Sequence, residues 1–154
     1  MNRATLATLA FLCGLAVSNT GHSTPPVLGS TTITWEEIEG RAGKGTSMSR
    51  PILRSATATL DELEMHVTHL PAGQAPHPPH KHVDEEVVII REGTLEAMQN
   101  GKTSRLGPGS VLFQASNQLH GVRNVGDTPA TYYVVRWTSP GMAKPPAAAA
   151  TVKK

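Results

Sequence analysis

Three histidines and a carboxylate are the residues of this chain best suited to chemistry: His80, His82 and Glu86 in the run HPPHKHVDEEVVIIREG, and His120 in the run ASNQLHGVRN. If residues 80 to 90 form one strand, side chains alternate between its faces. His80, His82 and Glu86 then point one way, and Lys81, Val83 and Glu85 the other. Imidazole nitrogens and a carboxylate oxygen together suit a first-row transition metal, and open positions on such an ion admit a substrate, water or dioxygen. With His120 the protein shell is complete for one divalent ion per chain, and Mn, Fe, Ni, Co and Zn are all compatible with that donor set.

The neighbouring ionisable residues divide by parity. Glu85 competes with Glu86 as the carboxylate but falls on the opposite face of a regular strand. Asp84 shares the face of His82 and Glu86 and reads as a group at the rim of the site. His77, on a proline-rich connection three residues before His80, reads as an exposed loop residue, with an alternative ligand or a proton carrier at the pocket mouth as its functional reading. In the stretch 60–69, Leu63, Met65 and Val67 alternate with Glu64, His66 and Thr68, the pattern of a half-buried strand. Placing the apolar residues inward sends His69 toward the cavity and His66 out to solvent.

The spacing of the two motifs resembles the cupin superfamily. Its first motif, H-x-H, three residues, E, six residues, G, stands as His80, His82, Glu86 and Gly93. Its second is matched by Gly109, His120 and Asn124, with Ala115 in place of a proline and Asn117 in place of a glycine. Gly73 sits one residue farther from His80 than the family pattern has it. Asn tolerates left-handed backbone, so Asn117 can serve where a turn glycine is usual. The resemblance covers residues 55 to 138 and implies an antiparallel, all-β double-stranded β-helix, the jelly-roll barrel, with the metal inside. Similarity to quercetinase-like cupin dioxygenases further implies that Glu86 leaves the ion to act as general base.

Around that site the elements are short. The first 18 residues, with Arg3 followed by the apolar run Ala4 to Val17, have the make-up of a signal peptide and are too short for a membrane anchor of roughly 20 residues. Cys13, the chain's one cysteine, lies inside this leader, and Phe11 and Leu12 before it argue against a lipoprotein signal. The mature chain is thus expected in the periplasm or secreted, free of the membrane and without a thiol. Residues 19–54 read as an arm whose segment TTITW, 31–35, adds an edge strand. Beyond the barrel at 55–138, residues 139–154 read as a disordered tail. Asn100-Gly101 marks a two-residue hairpin.

Composition excludes more than it assigns. With 14 basic and 12 acidic residues in the whole chain and no basic stripe, nucleic acid is not an expected partner. Val87 to Ile90 is apolar on both faces, so a second sheet or a second subunit must cover it, and a homodimer is expected. Val88, Ile90 and Val122 share the ligand face, which predicts a largely apolar pocket for a small organic substrate. The strand 131–137 offers either Tyr133, Val135 and Trp137 or Tyr132, Val134 and Arg136 to the interior, and Arg136 inside would favour a carboxylate substrate. The functional expectation is an exported metal-dependent enzyme, dioxygenase-like, acting on a small organic compound, with phenols among the candidates. The alternatives are a metal-anchored binding protein without turnover and a structural remnant, since one fold hosts many functions.

Overall fold

Eight strands and one short helix form residues 27–142, the part of the chain that the computed structural model describes. The expected leader at 1–18, the start of the arm at 19–26 and the tail from residue 143 lie outside the described residues. In chain order the elements are α1 (Trp35–Glu39), β1 (Ser49–Ser55), β2 (Glu62–Leu70), β3 (Glu85–Glu92), β4 (Leu95–Gln99), β5 (Lys102–Leu106), β6 (Val111–Gln114), β7 (His120–Asn124) and β8 (Ala130–Thr138). They build a five-stranded sheet in the order β1-β2-β8-β3-β6 and a three-stranded sheet in the order β5-β4-β7. Every strand pairing is antiparallel, as expected for a jelly roll.

Local chemistry sets the corners. Asn100 and Gly101, at φ 48° and 82°, close the β4–β5 hairpin with Gln99 paired to Lys102, because a two-residue turn of this hand needs positive φ at both positions. Gly93, at φ 82°, ends the first motif where the chain passes the start of β8. A Cβ there would lie 2.6 Å from Ala130 Cα, so only glycine fits.

The arm corrects one expectation. Residues 31–34 have no regular structure and Trp35 opens α1, so TTITW is not an edge strand. Thr34 caps the helix: Glu37 N–H donates to its hydroxyl at 3.3 Å, and Glu37 Oε2 accepts from Thr34 N–H at 2.6 Å. The first barrel strand comes earlier than expected, at Ser49, where it pairs with β2 from Ser49↔Thr68 to Ser55↔Leu63.

What covers the sheet then decides which way β2 faces. Ile38 from α1 and Ile52 from β1 pack with Val67, and Trp35, Leu53, Met65 and Tyr133 join them on the outside of the sheet. The apolar residues of β2 therefore point outward, to a covered surface, and Glu64, His66, Thr68 and Leu70 point into the barrel. This reverses the sequence expectation: His66 lines the cavity, whereas His69 is exposed, with Nδ1 3.2 Å from Thr131 Oγ1. Directly opposed residues share a face in an antiparallel pair, so the register with β2 also settles β8. Tyr132, Val134 and Arg136 face inward, and Trp137 faces outward, donating its indole N–H to Glu85 Oε2 at 3.1 Å. Glu85 is thereby on the outer face, as its parity requires.

Two rows across the larger sheet organise the interior. Glu64, Arg136, Glu86 and Gln114 stand side by side on β2, β8, β3 and β6, and His66, Val134, Val88 and Leu112 form the next row. Farther in, Leu70, Ile90, Leu95, Ala97, Ala130 and Tyr132 close the barrel with an apolar core. The half that holds the candidate ligands is thus polar, and the expectation of a largely apolar pocket holds only for the closed half.

Candidate metal centre

β3 starts at Glu85, so His80 and His82 do not stand on one regular strand with Glu86, and alternation was not what aligned them. A two-way backbone bridge does it instead. His80 N–H donates to His120 O at 2.9 Å and His120 N–H to His80 O at 3.0 Å, which ties the two motifs together at their ligand positions. Asn117, at φ 58°, takes the left-handed conformation expected of it and donates its N–H to His82 O at 2.7 Å. Asn124 locks the far end of β7: its side-chain amide donates to Leu70 O at 2.9 Å and Thr128 O at 2.8 Å, and its Oδ1 accepts from Gly126 N–H.

The bridge brings the three imidazoles together. Ring centroids lie 5.1 Å apart for His80–His82, 4.8 Å for His80–His120 and 4.7 Å for His82–His120. One ligand atom from each falls within 4.8 Å of the other two. Nitrogens about 2.1 Å from a shared tetrahedral ion sit about 3.4 Å apart, so ring movements of up to about 1.4 Å would bring the three into ligating distance. His82 Nδ1 lies 2.9 Å from Asp84 O and His120 Nδ1 lies 2.8 Å from Gln118 O. A carbonyl only accepts, so both Nδ1 atoms carry a proton, and in the neutral rings both Nε2 atoms hold the lone pair.

Those lone pairs have no partner within the protein. His80 Nδ1, His82 Nε2 and His120 Nε2 are buried without a hydrogen bond, each a polar atom whose isolation costs about 1–3 kcal/mol. Burial, and then the neighbouring His77, His120 and His82, push the His80 imidazole down to about 4, which keeps it in the neutral, ligating form. Buried and unpartnered imidazole nitrogens are what a divalent transition metal requires, and the triad fits such an ion.

The remaining expected residues lie close by. Glu86 lines the cavity, with Oε2 3.7 Å from His82 Nε2. Asp84 is half-buried, with its Oδ2 3.6 Å from Arg136 Nε. His77 is exposed at the mouth, its ring edge-on to His80 at 4.2 Å between centroids.

The cavity is about 270 Å³, the scale of a small ligand, and its walls include residues the sequence did not single out. Gln114 is one: it is 2 % exposed, its Oε1 accepts from Gln99 Nε2 at 3.1 Å, and its own Nε2 is buried without a partner. Arg136 is inside, the alternative that favoured a carboxylate substrate. Its Nε, however, lies 3.1 Å from Glu64 Oε2, so much of its charge is already balanced. Burial pushes the Glu64 carboxyl up, but the His66 hydrogen bond and the charges of His66, Arg136 and Arg54 outweigh it and leave the group below its usual range. Tyr132 is pushed up to about 12, chiefly by burial, and remains a neutral phenol. The signal for the inward face of β2 was Leu70, which shares the parity of His66 and is fully buried.

Comparison with known proteins agrees with the geometry. A family model described as a cupin domain matches residues 66–136. An RmlC-like cupin from Shewanella frigidimarina superposes with a TM-score of 0.58 at 15% identity, covering 73% of this chain and 95% of that one. A cupin 2 conserved barrel domain protein from Salinispora arenicola gives 0.56 at 18% identity, covering 71% and 90%. The cupin domain of Schizosaccharomyces pombe Cnp3 gives 0.52 at 18% identity, with 59% of this chain aligned to 65% of that one. Identities this low speak to the fold alone. No curated protein matches the sequence. With both motifs meeting in a jelly-roll barrel around a histidine triad, residues 66–136 of this chain are a cupin domain.

Proposed function

We propose that this cupin is a metal-dependent enzyme of dioxygenase-like type acting on a small phenolic compound, with His80, His82, His120 and Glu86 holding one divalent transition metal ion. The observation that carries the reading is the set of three buried, unpartnered imidazole nitrogens drawn from two separate stretches of chain. When bound, the ion supplies Lewis acidity or redox capacity.

The chain's own residues do the rest. The bridge between His80 and His120 fixes ligand positions, and the carbonyls of Asp84 and Gln118 fix ring orientation. Gln114 Nε2 is a donor without a partner, suited to a substrate oxygen. Glu86, beside the triad, accepts a substrate proton when it is not coordinating. Balanced by Glu64 and Asp84, Arg136 favours a neutral phenol over a carboxylate.

Two further parts of the reading come from the sequence and the outer surface. The leader at 1–18 directs export to the periplasm or outside the cell. A second copy of the chain covers the exposed Ile89, Val111 and Phe113 on the outer face of β3 and β6, giving a homodimer.

The test is metal analysis of the purified full chain followed by oxygen-uptake measurements with a panel of catechols and flavonoids. About one ion per chain and uptake with at least one phenol are expected. Bound metal with tight phenol retention and no product by mass spectrometry would replace the enzyme with a non-catalytic binding protein. A metal-free chain that refuses added metal would leave only a structural remnant.

A further inference from the structure

Across the cavity from β7, the five-stranded sheet carries an ionisable pair that the metal reading leaves unused. His66 on β2 lines the same cavity as His80, Glu86 and His120, and its Nδ1 lies 2.8 Å from Glu64 Oε1. Both side chains are largely enclosed, 21% exposed for His66 and 13% for Glu64. The carboxylate is held from two sides, since Oε2 faces Arg136 Nε at 3.1 Å. Its carboxyl sits below the usual range because the contributions of His66, Arg136 and Arg54 outweigh the cost of burial, so it is ionised near neutral pH. An ionised carboxylate only accepts, so Nδ1 carries a proton, and in the neutral ring the lone pair is on Nε2, the opposite ring nitrogen.

We propose that Glu64 and His66 form an acid–base dyad in which His66 Nε2 takes a proton from a hydroxyl group of a catechol-type substrate bound at the triad. This rests on the reading of the triad as a metal site. A catechol has two ionisable hydroxyls, and Glu86 as the base beside the ion accounts for only one of the two protons. In the step assigned to His66, the substrate O–H bond breaks and an N–H bond forms at Nε2. The electron pair stays on the substrate oxygen, and the imidazolium charge is balanced by Glu64. Glu64 is a positioning residue here: it sets the tautomer and steadies the imidazolium without touching substrate. Returning the proton from Nε2 to product resets the dyad.

Two measurements on the full chain test this. Long-range proton–nitrogen NMR, with His66 assigned by comparison with His66→Gln, is expected to find the Nδ1-protonated tautomer in both the metal-free and the zinc-loaded protein. Glu64→Ala should shift it toward the Nε2-protonated form. An Nε2-protonated His66 in the wild type would overturn the dyad, because no lone pair would face the cavity. The second measurement follows 4-nitrocatechol, whose absorption reports its ionisation, on the zinc-loaded protein. His66→Gln should keep the zinc content of the wild type and bind the doubly ionised probe about tenfold more weakly, or more weakly still. Unchanged binding and ionisation would overturn the proposal, as would zinc loss in His66→Gln, which would make His66 a ligand. A wild-type chain that holds no zinc would end the metal reading alone and leave the tautomer to decide the dyad.

Discussion

The two halves of the barrel interior are built from the same strands on opposite principles. In the closed half, Leu70, Val88, Ile90, Leu95 and Ala130 are each at most 2 % exposed and leave no polar atom to satisfy beyond the backbone. In the open half, a few residues farther along β2, β3 and β8, the same inward positions hold Glu64, Glu86 and Arg136. Buried nitrogens of His80, His82 and His120 go unpartnered there. One half gains stability from apolar burial, and the other gives some of it up to keep donor atoms available. Separating the two along the strands lets the site be polar without loosening the core.

Substitutions sharpen that contrast. The largest effect is expected on the open side: His120→Ala should reduce bound metal from about one ion per chain to a small fraction, measured by mass spectrometry of metals. Its metal-free melting temperature should stay close to that of the metal-free wild type, because removing the buried, unpartnered Nε2 offsets the loss of the Nδ1 bond to Gln118 O. On the closed side, Leu70→Ala should cost about 2–5 kcal/mol in urea unfolding while leaving the metal content of the folded protein intact. A comparable loss of stability in both variants would dissolve the distinction between the halves.

Metal itself should act on the open half by mass action. Zinc at a hundredfold excess over its dissociation constant should stabilise the wild type by about 2.7 kcal/mol, and chelator should remove that increment. No shift of the melting temperature with zinc would argue against a shell formed in the folded state. Gln114→Met should change stability by less than about 1.5 kcal/mol, since it exchanges a buried, half-satisfied amide for an apolar chain of similar size, yet it should weaken phenol binding. Smallest of all, Arg54→Ala breaks a pair with Glu62 in which the arginine side chain is 65% exposed, and it should cost under about 1 kcal/mol.

Much of the site was legible in the sequence, though one step toward it was not. His80, His82, Glu86 and His120 do gather at one cavity. The parity used to align the first three fails, because His80 to Asp84 precede β3 and a bridge to His120 does the aligning. Glu85 was placed correctly because its position lies within the regular strand, where alternation applies. Parity with the apolar residues inward puts His66 and His69 on the wrong sides, and the segment 31–35 reads as a strand although Thr34 and Glu37 spell a capping box for α1. The two errors are one: with α1 unrecognised, nothing in the reading could cover the apolar face of β2.

Sequence alone determined the ligand-type residues, the left-handed turn at Asn117, the hairpin at Asn100-Gly101 and the short antiparallel strands, since each follows from residue type at fixed local spacing. Only tertiary structure decided which side of β2 and β8 faces the cavity, and with it the inward placing of His66, Glu64 and Arg136. An alternating strand declares two different faces but not which one is inside. That depends on what packs against it, and here Trp35 and Ile38, about thirty residues upstream in the chain, take the apolar side.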